Sequence, residues 1–209
     1  VKKLSVQRIS MAIITFSFCI YMLSGLFGNR VSALAGIIPP AANFKYNNTS
    51  NSTGLCADIS VKYSDQLHLP PSFKGYFDYE NALECAEQQN KPVFIDFTGH
   101  ACFNCRRMEE NVWINPEVKK ILDLDYIIVA LYVDDKTPLL EDKEYKTLGK
   151  KNFALQMDKF CSNAQPYYVL LDPYDERVLV KPKAYDTNTD NFIEFLNTGK
   201  NKFNQKRGL

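Results

Sequence analysis

The sequence has almost no net charge. Its 25 Lys and Arg residues stand against 24 Asp and Glu, a formal +1, so neither nucleic acid nor an acidic polymer is implied as a partner. It has no internal repeat. It has no second cysteine pair at metal-ligand spacing to set beside Cys102-Phe103-Asn104-Cys105, because Cys19, Cys56, Cys85 and Cys161 offer none, and that argues against a zinc site. It has no histidine after Cys105, where haem attachment requires one; Arg106 stands there. Met108 is the only methionine near the motif and falls on the core-facing side of the helical pattern, whereas Cu(I) carriers commonly add thioether ligands. What is present is ordinary for a packed protein: 209 residues, 45% hydrophobic and 13% aromatic, enough for one domain with chain left over for an appendage.

The appendage is N-terminal. Residues 11–27 (MAIITFSFCIYMLSGLF) are seventeen in a row without a charge, at the short end of what crosses a hydrocarbon core of about 30 Å. Lys2, Lys3 and Arg8 precede the run and only Arg30 follows closely, so the positive-inside bias leaves the N-terminus in the cytoplasm and the rest outside. Ser17, Ser24, Gly25 and Gly28 are the small residues with which membrane helices pack on one another, and a chain opening on Val1 is expected to be a piece of a longer protein. The competing reading is a signal peptide cut near Ala33-Leu34-Ala35; the length of the run argues against it. Both place the remainder outside the cytoplasm.

Residues 31–55 read as a linker: Pro39-Pro40 is followed by the polar run 47–53, whose sequons at Asn47, Asn48 and Asn51 are expected to stay bare in a bacterial chain. Residues 56–209 read as the folded domain. An extended piece is expected near residues 59–63. Asp78 can cap a helix with the body 80–89 and Ala82, Leu83 and Ala86 facing a core. Residues 92–98 (PVFIDFT) and 126–133 (YIIVALYV) have the composition of buried strands. Between them one helix starts at Cys102 and a second at Pro116. A helix ending near Phe160, a strand over 167–171, an antiparallel return over 178–180 and a last helix from Asp190 to about Asn201 follow, the last with Phe192, Ile193, Phe195 and Leu196 as its apolar stripe. This order gives an α/β fold, a mixed sheet with helices on both faces.

The Cys102–Cys105 pair lies where a buried strand hands over to a helix, a position that favours a thiolate through unpaired backbone N–H groups and the helix dipole. Cys102, at the outer corner, can attack a disulfide, and Cys105, one turn inward, can resolve the mixed disulfide. A plain structural disulfide and a soft-metal (copper) delivery module are the alternatives.

The segment KPVFIDFTGHACFNCRRMEENVW, with Asn163-Ala164-Gln165-Pro166-Tyr167-Tyr168-Val169-Leu170 further on, resembles the C-terminal thioredoxin-like domain of the DsbD family of transmembrane protein-disulfide reductases. The likeness covers residues 76–203, and the apolar helix before Pro39-Pro40 resembles the last membrane helix preceding that domain. It implies a thioredoxin-like fold, no cofactor beyond a redox-active Cys102–Cys105 disulfide, attachment to a bacterial inner membrane among further helices, and protein dithiol or disulfide partners in the periplasm.

Residue by residue, the resemblance makes Asp96, six before Cys102, a buried acid that exchanges the proton of the inner cysteine, against a plain strand-end carboxylate. It makes Glu109, seven after Cys102, a second acid, with neighbouring Glu110 and a simple surface charge as competing readings. It makes Pro166 a cis proline whose predecessor, Gln165, offers backbone hydrogen bonds to an extended substrate. Phe103 and His100 join Gln165 and Pro166 as candidate substrate contacts. Many relatives have Trp before the first cysteine; here His100-Ala101 stands instead, which opens the rim. His100 either steadies the Cys102 thiolate or is an exposed loop residue. Cys85 and Cys161 are expected as free core residues.

Overall fold

The structure, a computed structural model, describes residues 5–26, 56, 58–70 and 72–208. Two units separate, one carrying the first helix and the other everything from Cys56 onward. Helix α1 spans Val6–Leu26; over residues 6–23 it is long and apolar enough to cross a membrane, a property that signal sequences share. Lys2, Lys3, Arg30, the Ala33-Leu34-Ala35 stretch, Pro39-Pro40 and the sequons lie outside the described residues.

The second unit is built on three strands, β1 (Val93–Thr98), β2 (Ile127–Tyr132) and β3 (Tyr167–Leu171), in the order β2-β1-β3. β1 runs parallel to β2 and antiparallel to β3, so the sheet is mixed as expected. All six residues of β1 and of β2 are buried, which explains why their sequence is a continuous apolar run instead of an alternating one. The alternation survives in which face each residue serves. Val93, Ile95 and Phe97 meet Ala82, Cys85 and Ala86 of α2 (Tyr79–Gln89) and Phe160 of α5 (Leu148–Phe160). Phe94 faces the other way, into a core with Met108 of α3 (Phe103–Met108), Val112 and Trp113 of the π-helical turn Glu109–Trp113 that continues it, Leu122 of α4 (Pro116–Asp125) and Phe192 of α6 (Thr189–Arg207). Trp113, Tyr168 and Phe192 surround Phe94 ring to ring at 5.4 to 6.2 Å.

Local chemistry sets the helix ends. The Asp78 carboxylate accepts the Asn81 amide at 3.2 Å and caps α2, and Asn90 closes it in the left-handed region. Asn115 and Pro116 start α4.

Five expectations need correction. Residues 62–66 form turns, and it is Tyr76 that bridges Val129 beside the sheet. The 178–180 return is not a continuous strand: it pairs with β3 through isolated bridges, Val178 to Leu171 and Lys183 to Tyr168, with the Leu179 amide on the Leu170 carbonyl, and between the bridges Pro182 has no N–H to donate. α6 runs on to Arg207, where Lys206 and Arg207 grip Asp172. Cys85 is buried but not free: it forms a disulfide with Cys56 that closes the start of the domain onto α2. Cys161 is free but exposed; Phe160 takes the core position, and Cys161 turns the chain out of α5 at φ 49°.

Candidate active site

Three segments converge at the end of the sheet where β1 stops. The β1–α3 loop (99–102) leaves Thr98; the β2–α5 loop leaves Tyr132, the register partner of Thr98; and β3 enters beside Phe97 directly after Pro166. The cysteine pair sits in the first of these. Cys102 caps α3, its sulfur accepting the Cys105 amide at 3.2 Å, and the two cysteines are joined in a disulfide. Cys102 is half-buried while Cys105 is 1% exposed, so an incoming sulfur meets Cys102 first.

The loop carrying Cys102 is held from β2. The Asp134 carboxylate accepts the amides of His100 (2.9 Å) and Ala101 (3.3 Å) and lies so close over Gly99 that a Cβ there would meet it at 3.0 Å. The His100 imidazole reaches Asp135 at 2.9 Å and packs on Tyr132, 4.6 Å between ring centres. Burial works against the charge of Asp135, but His100 and the Thr137 side chain and amide outweigh it and hold its carboxyl low. His100 is therefore an exposed but fixed residue. Phe103, between the cysteines, is 42% exposed with Arg107 over its ring.

Between β1 and the helix that carries the pair lies a buried charged cluster. Strand alternation turns Asp96 to the α3 side of the sheet, where it is 2% exposed and its Oδ1 has no hydrogen-bond partner among the described residues. Burial, reinforced by Glu109 and opposed by Arg106, pushes its carboxyl well above the usual range. Glu109 also points inward: its side chain is 12% exposed and receives Arg106 Nη2 at 2.8 Å. Burial lifts Glu109 to about 7 even against Arg106, with Glu110 adding to the rise. The same Nη2 donates to Thr98 Oγ1 at 3.0 Å. Burial pushes the Tyr132 phenol up to about 12 despite Arg106, and its hydroxyl donates to the His68 carbonyl at 2.8 Å.

On the third segment the Gln165–Pro166 bond is cis, Pro166 is buried and Gln165 half-buried. Sequence reasoning missed what fixes this loop. Asn152 and Gln156, one turn apart on α5 and both buried, donate to the Tyr132 carbonyl (3.0 Å) and the Ala164 carbonyl (2.7 Å), tying the ends of the second and third segments to one helix. Asp134, Asp135 and Arg106 were missed as well. Two amides four apart on an otherwise apolar helix face were the one available signal.

The structure thus brings Asp96, Glu109, the cysteines, His100 and Phe103 around one helix start, and Gln165-Pro166 to the same end of the sheet. Met108 is fully buried and offers no thioether to a metal at the surface.

A family profile described as thioredoxin-like matches residues 74–173. The fold is thioredoxin-like. Among solved structures, a DsbH oxidoreductase is similar at 18% identity and TM-score 0.47 over 65% of this chain and 92% of that one. The oxidised Neisseria meningitidis DsbD C-terminal domain is similar at 20% identity and TM-score 0.44 over 60% and 98%. A thioredoxin from Thermus thermophilus is similar at 20% identity and TM-score 0.45 over 59% and 84%. These are likenesses of fold, and no residue role is taken from them. A thioredoxin-like domain with a surface-facing cysteine bonded to a buried one has the equipment of a thiol-disulfide oxidoreductase.

Proposed function

We propose that the chain is a membrane-attached protein-disulfide reductase that passes electrons from a membrane domain outside this sequence to periplasmic proteins through the Cys102/Cys105 dithiol. The observation that carries the reading is the pairing of a half-exposed Cys102 with a buried Cys105 on a helix whose Arg106 joins the buried acids Asp96 and Glu109 in one cluster. In this division of labour Cys102 attacks, Cys105 resolves and Asp96 exchanges the proton of Cys105, while Glu109 sets the field in which that proton moves. Gln165 and Pro166 receive an extended substrate segment, with Phe103 and His100 at the rim.

Two further features support the location. α1 has the length and composition of a membrane anchor. The second disulfide, Cys56–Cys85, is buried away from any partner sulfur and fits a domain that matures in an oxidising compartment, where structural disulfides persist. The N-terminal lysines then lie in the cytoplasm and the thioredoxin-like domain in the periplasm.

Equilibrating the full chain in detergent with redox buffers tests the direction of flow. A reductase requires a Cys102–Cys105 potential near the thioredoxin value of about −270 mV, and a potential near the DsbA value of about −120 mV would make it an oxidant instead. Extraction from membranes should require detergent; a soluble mature protein starting at Gly36 would show that signal peptidase removes α1.

A further inference from the structure

We propose that Arg106 is a positioning residue that makes the two buried acids unequal, keeping Glu109 as the ionised partner of its guanidinium and leaving the exchangeable proton to Asp96. This inference rests on the thiol-disulfide reading above and deepens it.

The geometry around the guanidinium is one-sided. Nη2 lies 2.8 Å from Glu109 Oε1 and 3.0 Å from Thr98 Oγ1, so the head group is anchored to the π-helical turn and to the end of β1 together. Asp96 sits two residues before Thr98 on the same face of β1, yet its Oδ1 receives no donor among the described residues. A carboxylate out of water is stabilised by hydrogen bonds to its charged form. Glu109 has such a bond from a cation, whereas Asp96 Oδ1 has none. The side chains of Arg106 and Glu109 are 15% and 12% exposed and Asp96 is 2% exposed, so water does little to even out the difference. The charge count agrees: two acids and one guanidinium become neutral on taking one proton.

The other groups that bear on the cluster do not reverse the asymmetry. Tyr132 on β2 and Tyr168 on β3 are phenols whose titration burial pushes upward, so they stay neutral. Glu110, beside Glu109, raises the latter's affinity for a proton and opposes Arg106. His100, packed on Tyr132, is engaged by Asp135 on the far side of the loop, and His68 is held towards its neutral form by burial and by Arg106 and His100.

This arrangement gives the redox step a closed proton account. When an upstream thiolate attacks Cys102, the S–S bond breaks and Cys105 leaves as a thiolate that takes the Asp96 proton; a second upstream thiol then gives its proton to water, attacks the upstream sulfur of the mixed disulfide and frees Cys102 as a thiolate, which completes the two-electron reduction. When the dithiol later reduces a substrate, the Cys102 thiolate forms the mixed disulfide and expels one substrate thiolate. Cys105 returns its proton to Asp96, attacks the Cys102 sulfur and releases the second substrate thiolate, and the two substrate thiolates are protonated by water. The proton that Asp96 lends is the one it recovers, provided Glu109 does not compete for it.

The test is the pH profile of disulfide exchange in the full chain in detergent, comparing Arg106→Gln, Arg106→Lys and Thr98→Val with the wild type. Loss of the cation raises the proton affinity of both acids, so Arg106→Gln should move the profile to higher pH by about one unit, a tenfold rate change on its limb. Arg106→Lys should restore the profile to within about threefold. In the wild type Asp96→Asn should abolish the limb, whereas Glu109→Gln, which removes the negative charge that raises Asp96, should keep the limb and move it to lower pH; in the Arg106→Gln background Glu109→Gln should move it back. A profile that stays put in Arg106→Gln, whatever the melting temperature does, overturns the proposal. If Arg106→Gln does not fold, Thr98→Val decides: releasing the anchor should shift the profile in the same direction, and an unmoved profile is equally fatal. Wild-type protein that exchanges no disulfide at all would instead sink the thiol-disulfide reading itself.

Discussion

Asp96→Asn should stabilise the domain and slow its chemistry at once. Asp96 is 2% exposed, carries an oxygen without a hydrogen-bond partner among the described residues, and has its carboxyl pushed well above the usual range, first by burial and then by Glu109. An acid whose folded pKa is raised holds its proton in the folded state after the unfolded chain has released it. Folding stability therefore falls as pH rises from the ordinary carboxylate range to the folded pKa, with a slope of about 1.4 kcal/mol per pH unit for one such group. Asn does not titrate, so the stability difference between variant and wild type should climb with that slope and then level off, and the plateau marks the folded pKa. Each kcal/mol is worth about 2–4 °C in melting temperature for a domain of this size. The assay is denaturant unfolding of the oxidised protein at several pH values, with both disulfides intact so that neither Cys102 nor Cys105 titrates. Over the same range the variant should resolve mixed disulfides about 100-fold more slowly, the ordinary worth of a positioned proton-transfer group. Parallel stability curves, or an unchanged resolution rate, would refute the assignment.

Three further outcomes follow. Replacing Cys56 and Cys85 together by Ala removes a cross-link between residues 29 apart and should cost about 3–4 kcal/mol while leaving Cys102–Cys105 exchange intact; unchanged stability would show the bond to be dispensable. Asp172→Asn should cost about 3 kcal/mol, because its buried carboxylate is held by Lys206 at 2.9 Å and Arg207 at 3.0 Å. Burial opposes the charge of Asp172, but those cations and the Tyr174 amide hold the folded carboxyl low, so its contribution is present above the ordinary carboxylate range and disappears as pH falls through the folded value; calorimetry between neutral and acid pH reads this. Gly149→Ala should displace the start of α5, since its Cβ would meet the Asp135 backbone at 2.5 Å, and slower exchange should accompany a lower melting temperature.

The parts legible in the sequence were those governed by local rules. Continuous apolar runs gave β1 to β3, Asp78 and Pro116 marked helix starts, and the cysteine spacing after a buried strand located the site. A buried acid in β1 was visible as a lone charge in PVFIDFT. The unread parts depend on partners distant in the chain. Cys56–Cys85 pairing needs the opening segment of the domain to lie along α2, which no spacing reveals. Arg106 reads as a surface residue of an amphipathic helix until the sheet brings Thr98 beneath it. Asp134 and Asp135 read as a polar loop until the β1–α3 turn arrives beside them. Cys161 went wrong for the opposite reason: a local prior for buried cysteine was overridden by the left-handed turn that ends α5.

The most direct test of the central claim is to compare Cys105→Ser with Cys102→Ser in the full chain, under conditions where the protein meets its disulfide-bearing partners. Cys105→Ser keeps the outward thiol and loses the resolving one, so a covalent complex should accumulate and disappear on reduction. Cys102→Ser should trap little, the remaining thiol of the pair being 1% exposed, with the free Cys19 and Cys161 replaced by Ser in both variants. Equal trapping by the two variants, or a Cys102 thiol that alkylates no faster than an unperturbed thiol of pKa about 8.5, would contradict the assignment of Cys102 as the attacking residue.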